Sequence, residues 1–441
     1  SDVAGPLFNR GRRRDRPILS VGSTMSDRIL SPRDEAVVGI RACMVAYSHY
    51  PDDPRVSREA RTLDRAGVEV DVICLRGDGQ PIRENIEGVE VYRIPLATRP
   101  GSRHRYAWQY GTFFLLATAA LSRAWRRRRY DIVHVHSLPD FLVFASALPR
   151  AFGARIILDL HEAMPEILAA RFRLENDASL VRVARALERA SAAFADEIFV
   201  VNDTIRNLLV SRGIPPHKLA VLPNTPDEEA MPLVSRQFLV DRYGLQGEHA
   251  IVVAGGLNPE RDIETLIRSI ALPPLAGSVD LLLLGRGDPK YLAGLRALAE
   301  GLGLRKRVVF GGFVPHAEAM SLLSLSDVGV VTLVENPITR LGLPNRLFEY
   351  AMLGKPLVVP RLPAIESFVG SDGYYYRPGS PEDLAAAIAN ALNGSTPSMR
   401  TELERRYGAW RWADVSRRLL EAYRRAKPRA ARSQEVHAAC T

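Results

Sequence analysis

The sequence predicts an α/β protein made of two successive doubly wound domains, each built on a parallel sheet. Continuous apolar runs alternate with helical patterns along most of the 441 residues, which is typical of parallel strands covered by helices on both faces. The alternation stops once, at a proline-rich acidic segment at residues 223–232, and then starts again. We therefore expect two domains joined by a hinge, for which this chain length is sufficient.

Composition restricts the class of partner. Hydrophobic residues make up 46% of the chain and charged residues 25%, a composition typical of globular proteins. The net charge of +9 favours an anionic partner: a nucleotide diphosphate, an anionic lipid surface or nucleic acid. No zinc-finger spacing or RNA-binding aromatic motif accompanies the basic residues, so we expect no nucleic acid partner. The three cysteines lack CxxC spacing, which favours a reducing compartment and indicates neither disulfides nor a metal site.

The first part of the chain predicts a disordered leader and one domain. Residues 1–35 are basic and aperiodic, so we expect them to be disordered. A first domain is predicted at residues 36–229. Its β-type runs lie at residues 37–48, 68–75, 89–94, 131–136, 155–160, 197–201 and 219–222.

The most apolar stretch, residues 113–121, is too short to span a bilayer. Trp108 and Trp125 lie beside it, and an arginine run follows at residues 126–129. Two interpretations are open: a helix packed on a sheet, or a helix lying on an anionic membrane surface. No secretory signal is visible, so we expect a cytoplasmic protein, with a peripheral position on the inner face of the membrane under the second interpretation.

A second domain is predicted at residues 230–407. Its strands fall at residues 250–254, 279–284, 308–310, 328–333 and 357–359. An amphipathic helix at residues 408–427 and a disordered tail at 428–441 complete the chain. Ligands of open α/β sheets bind at the carboxyl ends of the strands, so we expect a cleft between the two domains.

Polar residues follow the strands of the first domain. Arg55 can meet an anion in the cleft or pair with Asp52 or Asp53. His134 and His136 share one face of a strand, and His136 lies nearer its carboxyl end. A histidine there can relay a proton or bind a ligand's hydroxyl group, whereas we expect His134 to be a satisfied buried histidine. The other candidates beyond strand ends are Asp140, His161 and Glu162.

The second domain offers glycines and charges in similar places. Gly255 and Gly256 follow a strand and let the backbone approach a phosphate, and Arg261 adds a full charge. The dinucleotide fingerprint GxGxxG is absent, since Gly285 and Gly287 have no third glycine at the required spacing. We expect Glu349 at the start of an otherwise apolar helix, where a carboxylate needs a partner.

Several of these segments resemble one enzyme family. The run from Gly342 to Pro356, which reads GLPNRLFEYAMLGKP, resembles the nucleotide-sugar signature of GT-B glycosyltransferases of the family 4 type. The segments at residues 53–60, 159–166, 255–262 and 311–315 resemble further motifs of that family. The resemblance implies two Rossmann-like domains facing a cleft, with a C-terminal helix that crosses back to the first domain.

The resemblance also implies a function and its residues. It implies a retaining glycosyltransferase that takes a UDP- or GDP-linked sugar, with no other cofactor and no catalytic metal, and a sugar or lipid-linked acceptor. The implied catalytic residues are His136, Arg261 and Glu349. The implied donor-binding residues are Gly255, Gly256, Arg261, Gly285, Phe313, Val314, Asn345, Arg346, Leu347 and Glu349. The implied acceptor-binding residues are Arg55, His136, Asp140, His161 and Glu162.

One departure from the family pattern leaves the donor sugar open. Many members carry a second glutamate eight positions before the position of Glu349, and this chain has Leu341 there. Two other functions therefore stay open: a catalytically silent GT-B scaffold that binds a partner or a membrane, and a GT-B sugar-nucleotide epimerase. The acceptor, the linkage and the oligomeric state are not determined by the sequence.

Overall fold

The computed structural model describes residues 37–99, 101–172, 174–175, 178–226, 235–394, 397–408 and 410–426. The predicted leader and tail, and residues 227–232 of the predicted hinge, lie outside the described residues. Within them, two α/β domains face each other across a cleft, and the predicted fold class is confirmed.

The N-terminal domain is built on an eight-stranded sheet of order β3-β4-β2-β1-β5-β6-β7-β8. All its pairings are parallel except that of β3 with β4. Its strands are β1 (Arg41–His49), β2 (Glu69–Leu75), β3 (Arg83–Ile86), β4 (Val89–Ile94), β5 (Ile132–His136), β6 (Arg155–Leu160), β7 (Glu197–Val200) and β8 (Leu219–Val221).

Helices cover both faces of this sheet. They are α1 (Pro54–Arg65), α2 (Arg103–Arg128), α3 (Ala147–Ala151), α4 (Met164–Phe172), α5 (Ser179–Phe194) and α6 (Asp203–Ser211). Asp53 caps α1 by accepting from the backbone N–H of Arg55 and Val56, and Pro54 occupies the first helical position. This cap fixes where Arg55 enters the domain.

Helix α2 contains the apolar stretch at residues 113–121. Phe113, Ala117 and Leu121 are buried against the sheet at the spacing of one helix face. The opposite face leaves Trp108 61% exposed and Leu115 67% exposed. The helix therefore packs on the sheet, as one interpretation predicted, and also presents an apolar outer face. Within the described residues, no helix combines the length and apolar composition needed to cross a membrane.

The C-terminal domain contains two three-stranded parallel sheets, of order β11-β10-β9 and β12-β13-β14. Asp327 and Ser326, just before β12, bond to the backbone of β9 and hold the two sheets side by side. The strands are β9 (His249–Ala254), β10 (Val279–Leu284), β11 (Val308–Gly312), β12 (Gly329–Val330), β13 (Leu357–Pro360) and β14 (Gly373–Tyr376). The helices are α7 (Arg236–Tyr243), α8 (Ile263–Ile270), α9 (Pro289–Gly301), α10 (His316–Leu323), α11 (Asn345–Met352), α12 (Pro363–Val369), α13 (Pro381–Gly394) and α14 (Pro397–Gly408).

The last helix, α15 (Trp412–Ala426), crosses back to the N-terminal domain. Its apolar face joins the core between β1 and α1, where Val415 and Leu419 are fully buried. Trp412 donates its indole N–H to Thr62 at 2.8 Å, and the Tyr423 hydroxyl lies 3.1 Å from Nδ1 of His134. The crossing helix predicted from the resemblance is therefore present.

Four elements differ from the sequence expectation, and one of them is the strand expected at residues 328–333, which forms only over Gly329–Val330. Strands β3 and β14 were not predicted, because β3 is a short, polar edge strand and β14 is a run of tyrosines after a glycine. Helix α11 was expected to follow Glu349, but it begins at Asn345 and places Glu349 in its middle. Pro344 ends the preceding extended segment, and the buried residues Leu347, Phe348 and Ala351 give the helix its apolar face.

Candidate functional site

A cleft of about 590 Å³ lies between the two domains at the carboxyl ends of their strands. Loops after β5, β6 and β7 form the N-terminal wall. The loop after β9 and the segment leading into α11 form the C-terminal wall. Parallel strands collect their loops at one sheet edge, which is why residues distant in sequence meet here.

Two arginines dominate the C-terminal wall. Arg346 on α11 is 5% exposed, and its Nη1 has no hydrogen-bond partner among the described residues. Arg261, at the end of a short 3-10 helix before α8, lines the same part of the cleft. Burial, and then the nearby charge of Arg346, lower the pKa of Arg261 to about 10. Two guanidinium groups without a carboxylate partner within ion-pair distance, among the described residues, form a site suited to an anion.

Glu349 lies beside these arginines. Burial raises its pKa, and the positive charges of His316, Arg346 and Arg261 oppose that rise. His316, the first residue of α10, was not singled out from the sequence, because nothing in its local pattern links it to α11. The carboxylate is therefore enclosed but faces cationic groups, and it is available to accept hydrogen bonds from a ligand's hydroxyl groups.

The glycines that follow β9 and β10 have different relations to the cleft. Gly255 and Gly256 line it, and the Gly255 backbone lies against the guanidinium of Arg346. Gly285 does not line the cleft. It lies behind Gly255 with φ +141°, and a Cβ there would be 1.8 Å from the Gly255 carbonyl oxygen. Gly285 thus shapes the C-terminal wall of the cleft indirectly.

The remaining predicted donor residues have different positions. Asn345 lines the cleft and is exposed, whereas Leu347 is fully buried in the core of its domain. The Leu347 side chain therefore cannot reach a ligand in the cleft, a correction to its predicted donor-binding role. Phe313 is 60% exposed and stacks on Arg286, whose Cζ lies 4.2 Å from the ring centroid, while Val314 is 8% exposed. Neither is among the residues that line the cleft.

On the N-terminal wall, His161 rather than His136 faces the cleft. His161 follows β6 and its side chain is 24% exposed. His136 is 1% exposed and lies behind it, with the two ring centroids 5.4 Å apart. The expectation that His136 lies in the cleft is therefore wrong: it is the last residue of β5 and points into the layer beneath the loops. Burial lowers the pKa of His136.

Arg55 is engaged inside the domain. Its Nε and Nη2 each lie 2.7 Å from the carboxylate of Asp159, and Nη1 donates to the Leu222 carbonyl at 3.0 Å. Neither Asp52 nor Asp53, the partners considered from the sequence, accepts a hydrogen bond from the Arg55 guanidinium. Arg55 lines the cleft floor but is 2% exposed, so its charge is directed at Asp159 rather than at a ligand.

Asp140 and Glu162 differ in exposure. Asp140 is 1% exposed and does not line the cleft, contrary to its predicted acceptor role. Burial, with the nearby charges of Glu188 and Glu166, raises its pKa to about 8. Glu162 is exposed in the cleft, where partial enclosure and then Glu260 of the opposite wall raise its pKa.

Two contacts between the domains were not predicted. Asn202 caps α6 through Oδ1 and donates its Nδ2–H to the carbonyl of Leu341 at 2.8 Å. The Leu341 side chain packs against the N-terminal core. Asn224 lies 3.4 Å from Asn345 across the cleft. Asn224 carries the signal that identified the other candidates, a polar residue just beyond a strand, and it was missed beside Pro223.

One group of potential metal ligands exists among the described residues. Donor atoms of Glu59, His134, His136 and Asp159, all buried, lie within 4.8 Å of one another. Arg55 contacts both carboxylates of this group, 2.7 Å from Asp159 and 3.2 Å from Glu59. A guanidinium therefore already supplies the positive charge that a metal ion would bring.

Comparison with known proteins agrees with this geometry. Residues 53–225 match the family described as glycosyl transferase 4-like domain, and residues 248–394 match glycosyl transferases group 1. An uncharacterized glycosyltransferase of Methanocaldococcus jannaschii is 26% identical over 342 residues, which are 76% of this chain and 83% of that protein. The 2-deoxystreptamine glucosyltransferase of Streptomyces kanamyceticus is 24% identical over 359 residues, which are 78% of this chain and 90% of that protein.

A solved structure gives the same fold. HepE of Anabaena, crystallised in complex with UDP, superposes with a TM-score of 0.63 at 16% identity, over 87% of this chain and 99% of that one. The two family matches together span most of the chain, and the architecture and the crossing helix agree with them. The chain therefore belongs to the GT-B glycosyltransferases of the family 4 type.

Proposed function

We propose that the protein transfers a sugar from a UDP- or GDP-linked donor to an acceptor hydroxyl with retention of anomeric configuration. The observation that carries the proposal is the pair Arg261 and Arg346 beside Glu349 in the interdomain cleft. A buried guanidinium without a counter-ion is unfavourable by several kcal/mol. A diphosphate offers oxygens that suit paired guanidinium donors, and the UDP complex of HepE, which has the same fold, supports a nucleotide as ligand.

Each cleft residue has a role in this proposal. Glu349 accepts hydrogen bonds from the ribose hydroxyls, and Arg261 and Arg346 stabilise the charge that develops on the leaving diphosphate. The two arginines supply the positive charge, so the proposal includes no metal and no cofactor other than the nucleotide sugar. His161 orients the acceptor hydroxyl and receives its proton. Retention is proposed from the family resemblance.

Calorimetric titration with UDP and with GDP tests the donor site. A charge-assisted hydrogen bond contributes roughly 1.5–3 kcal/mol, so Arg261→Ala should weaken nucleotide binding by about 10- to 100-fold. Glu349→Ala should weaken it by a similar factor. Arg305→Ala and Glu300→Ala remove an exposed pair of the same domain, 83% and 67% exposed, and should leave binding unchanged. Binding of neither nucleotide, or unchanged binding by both site variants, would contradict the assignment.

Product analysis tests the reaction. A transferase converts the nucleotide sugar into free nucleotide plus a glycosylated acceptor, and proton NMR of the anomeric position reports retention. An epimerase returns a new nucleotide sugar, and a silent scaffold returns the donor unchanged. Separation of these products by anion-exchange chromatography distinguishes all three functions.

The charge of the N-terminal wall bears on the acceptor. Arg55 is paired with Asp159, and Glu166 is paired with Arg212. Among the described lining residues of the N-terminal wall, this leaves Glu162 as a carboxylate without an ion-pair partner. Such a wall favours a neutral or amino-bearing sugar or cyclitol over a phosphorylated acceptor. The likeness to a 2-deoxystreptamine glucosyltransferase agrees with it, and a panel of neutral, amino and phosphorylated acceptors tests it.

A peripheral membrane position is a separate part of the proposal. Trp108, Leu115 and Arg126 lie on one exposed face of α2, spaced seven and eleven residues apart. Such a face can insert its apolar side chains between lipids while arginine meets anionic headgroups. The double variant Trp108→Ser, Leu115→Ser should lose co-sedimentation with anionic vesicles at low salt, and Val183→Ser, 55% exposed on α5, should not. Absence of co-sedimentation by the parent protein would contradict the proposed membrane position.

A further inference from the structure

We propose that Asp159 is a positioning residue that fixes the ring orientation and tautomer of His161, and that Arg55 and His136 hold Asp159 in place for this purpose. The inference rests on the proposed function, which places His161 at the acceptor hydroxyl. It extends the reaction's machinery from the cleft wall into the buried layer behind it.

The carboxylate of Asp159 is the centre of the arrangement. It is fully buried, and its Oδ1 accepts from Nη2 of Arg55 at 2.7 Å. Its Oδ2 lies 2.7 Å from Nε of Arg55, 3.2 Å from Nδ1 of His136 and 3.2 Å from Nε2 of His161. Four nitrogen atoms on three side chains therefore converge on one carboxylate, and the two histidine nitrogens also lie 3.2 Å from each other.

This convergence determines where the imidazole hydrogens lie. An ionised carboxylate only accepts hydrogen bonds, so a ring nitrogen that bonds to it must carry a hydrogen. Nε2 of His161 has two neighbours at 3.2 Å, Oδ2 of Asp159 and Nδ1 of His136. The ionised carboxylate is the stronger hydrogen-bond partner, so the proposal places the hydrogen of His161 on Nε2, directed at Asp159. When the ring is neutral, Nδ1 carries the lone pair, and it points away from Asp159. A lone pair at Nδ1 can accept a hydrogen bond, and then a proton, from an acceptor hydroxyl in the cleft.

Arg55 is what keeps the carboxylate ionised. Burial alone would favour the protonated acid, but the guanidinium of Arg55 and the hydrogen bonds of the two histidines hold the pKa of Asp159 well below its usual range. A protonated Asp159 would donate a hydrogen bond of its own, and the tautomer of His161 would no longer be fixed. The bidentate geometry of the Arg55 pair also fixes the plane of the carboxylate.

His136 is held from behind by the C-terminal helix. Its ring stacks on that of His134, with centroids 4.4 Å apart, and Nδ1 of His134 lies 3.1 Å from the Tyr423 hydroxyl of α15. The position of the His136 ring therefore depends, through His134, on a contact with the C-terminal helix α15.

Enzyme kinetics of Asp159→Asn test the proposal. Loss of a group that orients a reacting side chain typically lowers activity by about 10- to 100-fold, so we expect kcat to fall by that factor while nucleotide binding stays within twofold. Asp71→Asn is the matched control. Asp71 is equally buried in the same sheet and bonds to Tyr130 and Arg128, away from the cleft.

A double-variant cycle separates positioning from folding. If Asp159 acts through His161, then Asp159→Asn should not lower kcat further in a His161→Ala background. Additive losses, or an equal fall in kcat for Asp71→Asn, would overturn the proposal.

Nitrogen-15 NMR of the histidines gives a readout that needs no transfer activity. The chain has nine histidines, and His161→Gln assigns the signal of interest. We expect His161 as the Nε2–H tautomer in the parent protein, and a mixture of tautomers in Asp159→Asn. A parent protein with His161 as the Nδ1–H tautomer would refute the inference even where transfer is observed. The expected tautomer in a protein without transfer activity would instead contradict only the proposed function.

Discussion

Replacement of Arg55 by methionine should strongly destabilise the N-terminal domain. The change removes the guanidinium from two 2.7 Å contacts with Asp159, one 3.0 Å contact with the Leu222 carbonyl and one 3.2 Å contact with Glu59. It leaves the fully buried carboxylate of Asp159 without its guanidinium partner. Removal of one partner of a buried ion pair costs about 3–5 kcal/mol, and methionine keeps most of the volume of the side chain, so little of this loss comes from a cavity.

Urea denaturation followed by circular dichroism measures the effect. With a slope near 2.5–3 kcal/mol per molar urea for a domain of this size, the midpoint should fall by about 1–2 M. Arg41→Met is the matched control in β1. Arg41 lies 3.9 Å from Asp131, and the side chains are 42% and 27% exposed, so its loss should shift the midpoint by less than about 0.4 M.

The pH dependence of this difference tests its cause. In the parent protein the pKa of Asp159 is lowered, so its stabilising contribution is present above the unfolded pKa, about 4, and is lost as pH falls through the folded value. Without Arg55, burial raises the pKa of the same group, and its ionisation then opposes folding above pH 4. The difference in urea midpoint between the parent protein and Arg55→Met should therefore widen from pH 4 to pH 8. A difference in urea midpoint under 0.4 M, or a difference that stays constant with pH, would refute the reasoning.

Three further changes should separate backbone shape, domain closure and donor recognition. Gly285→Ala places a Cβ 1.8 Å from a carbonyl oxygen at φ +141°, so it should cost about 3 kcal/mol or more. As the control in the same urea denaturation assay, Gly294→Ala, at a helical site with open space around its Cβ, should stabilise by about 0.5–1 kcal/mol. Asn202→Asp keeps a cap acceptor but loses the 2.8 Å bond to the Leu341 carbonyl, so KM for the donor should rise about 3- to 10-fold while the melting temperature stays constant. The pKa of Glu349 is raised by burial, so UDP affinity should increase as pH rises through a value above 4.5, and Glu349→Gln should remove that slope in calorimetry.

The sequence predicted the fold well because the fold depends on local pattern, and it identified three charged residues that line the C-terminal wall of the cleft. The parallel strands are visible in the sequence as apolar runs, and polar residues follow them directly. Arg261, Arg346 and Glu349 were identified because each interrupts an apolar or glycine-rich segment that the resemblance also covers. Alternation along β5 placed His134 and His136 on one face correctly. It carried no information on how deep that face lies beneath the loops, and so His136 was taken for the residue that faces the cleft instead of His161.

The partners of the charged residues are what local pattern cannot supply. Arg55 and Asp159 are 104 positions apart, Asn202 and Leu341 are 139 apart, and His134 and Tyr423 are 289 apart. In each case the two residues belong to segments that look complete by themselves: a capped helix, a strand end, an amphipathic C-terminal helix. What brings them together is the order of strands in the sheet and the return of α15 to the first domain. A charge in a strand-end loop can therefore be predicted to matter from sequence alone, but whether it meets a ligand or another side chain depends on topology. For Arg55 that distinction changes its expected role from binding an acceptor to fixing the carboxylate that positions His161.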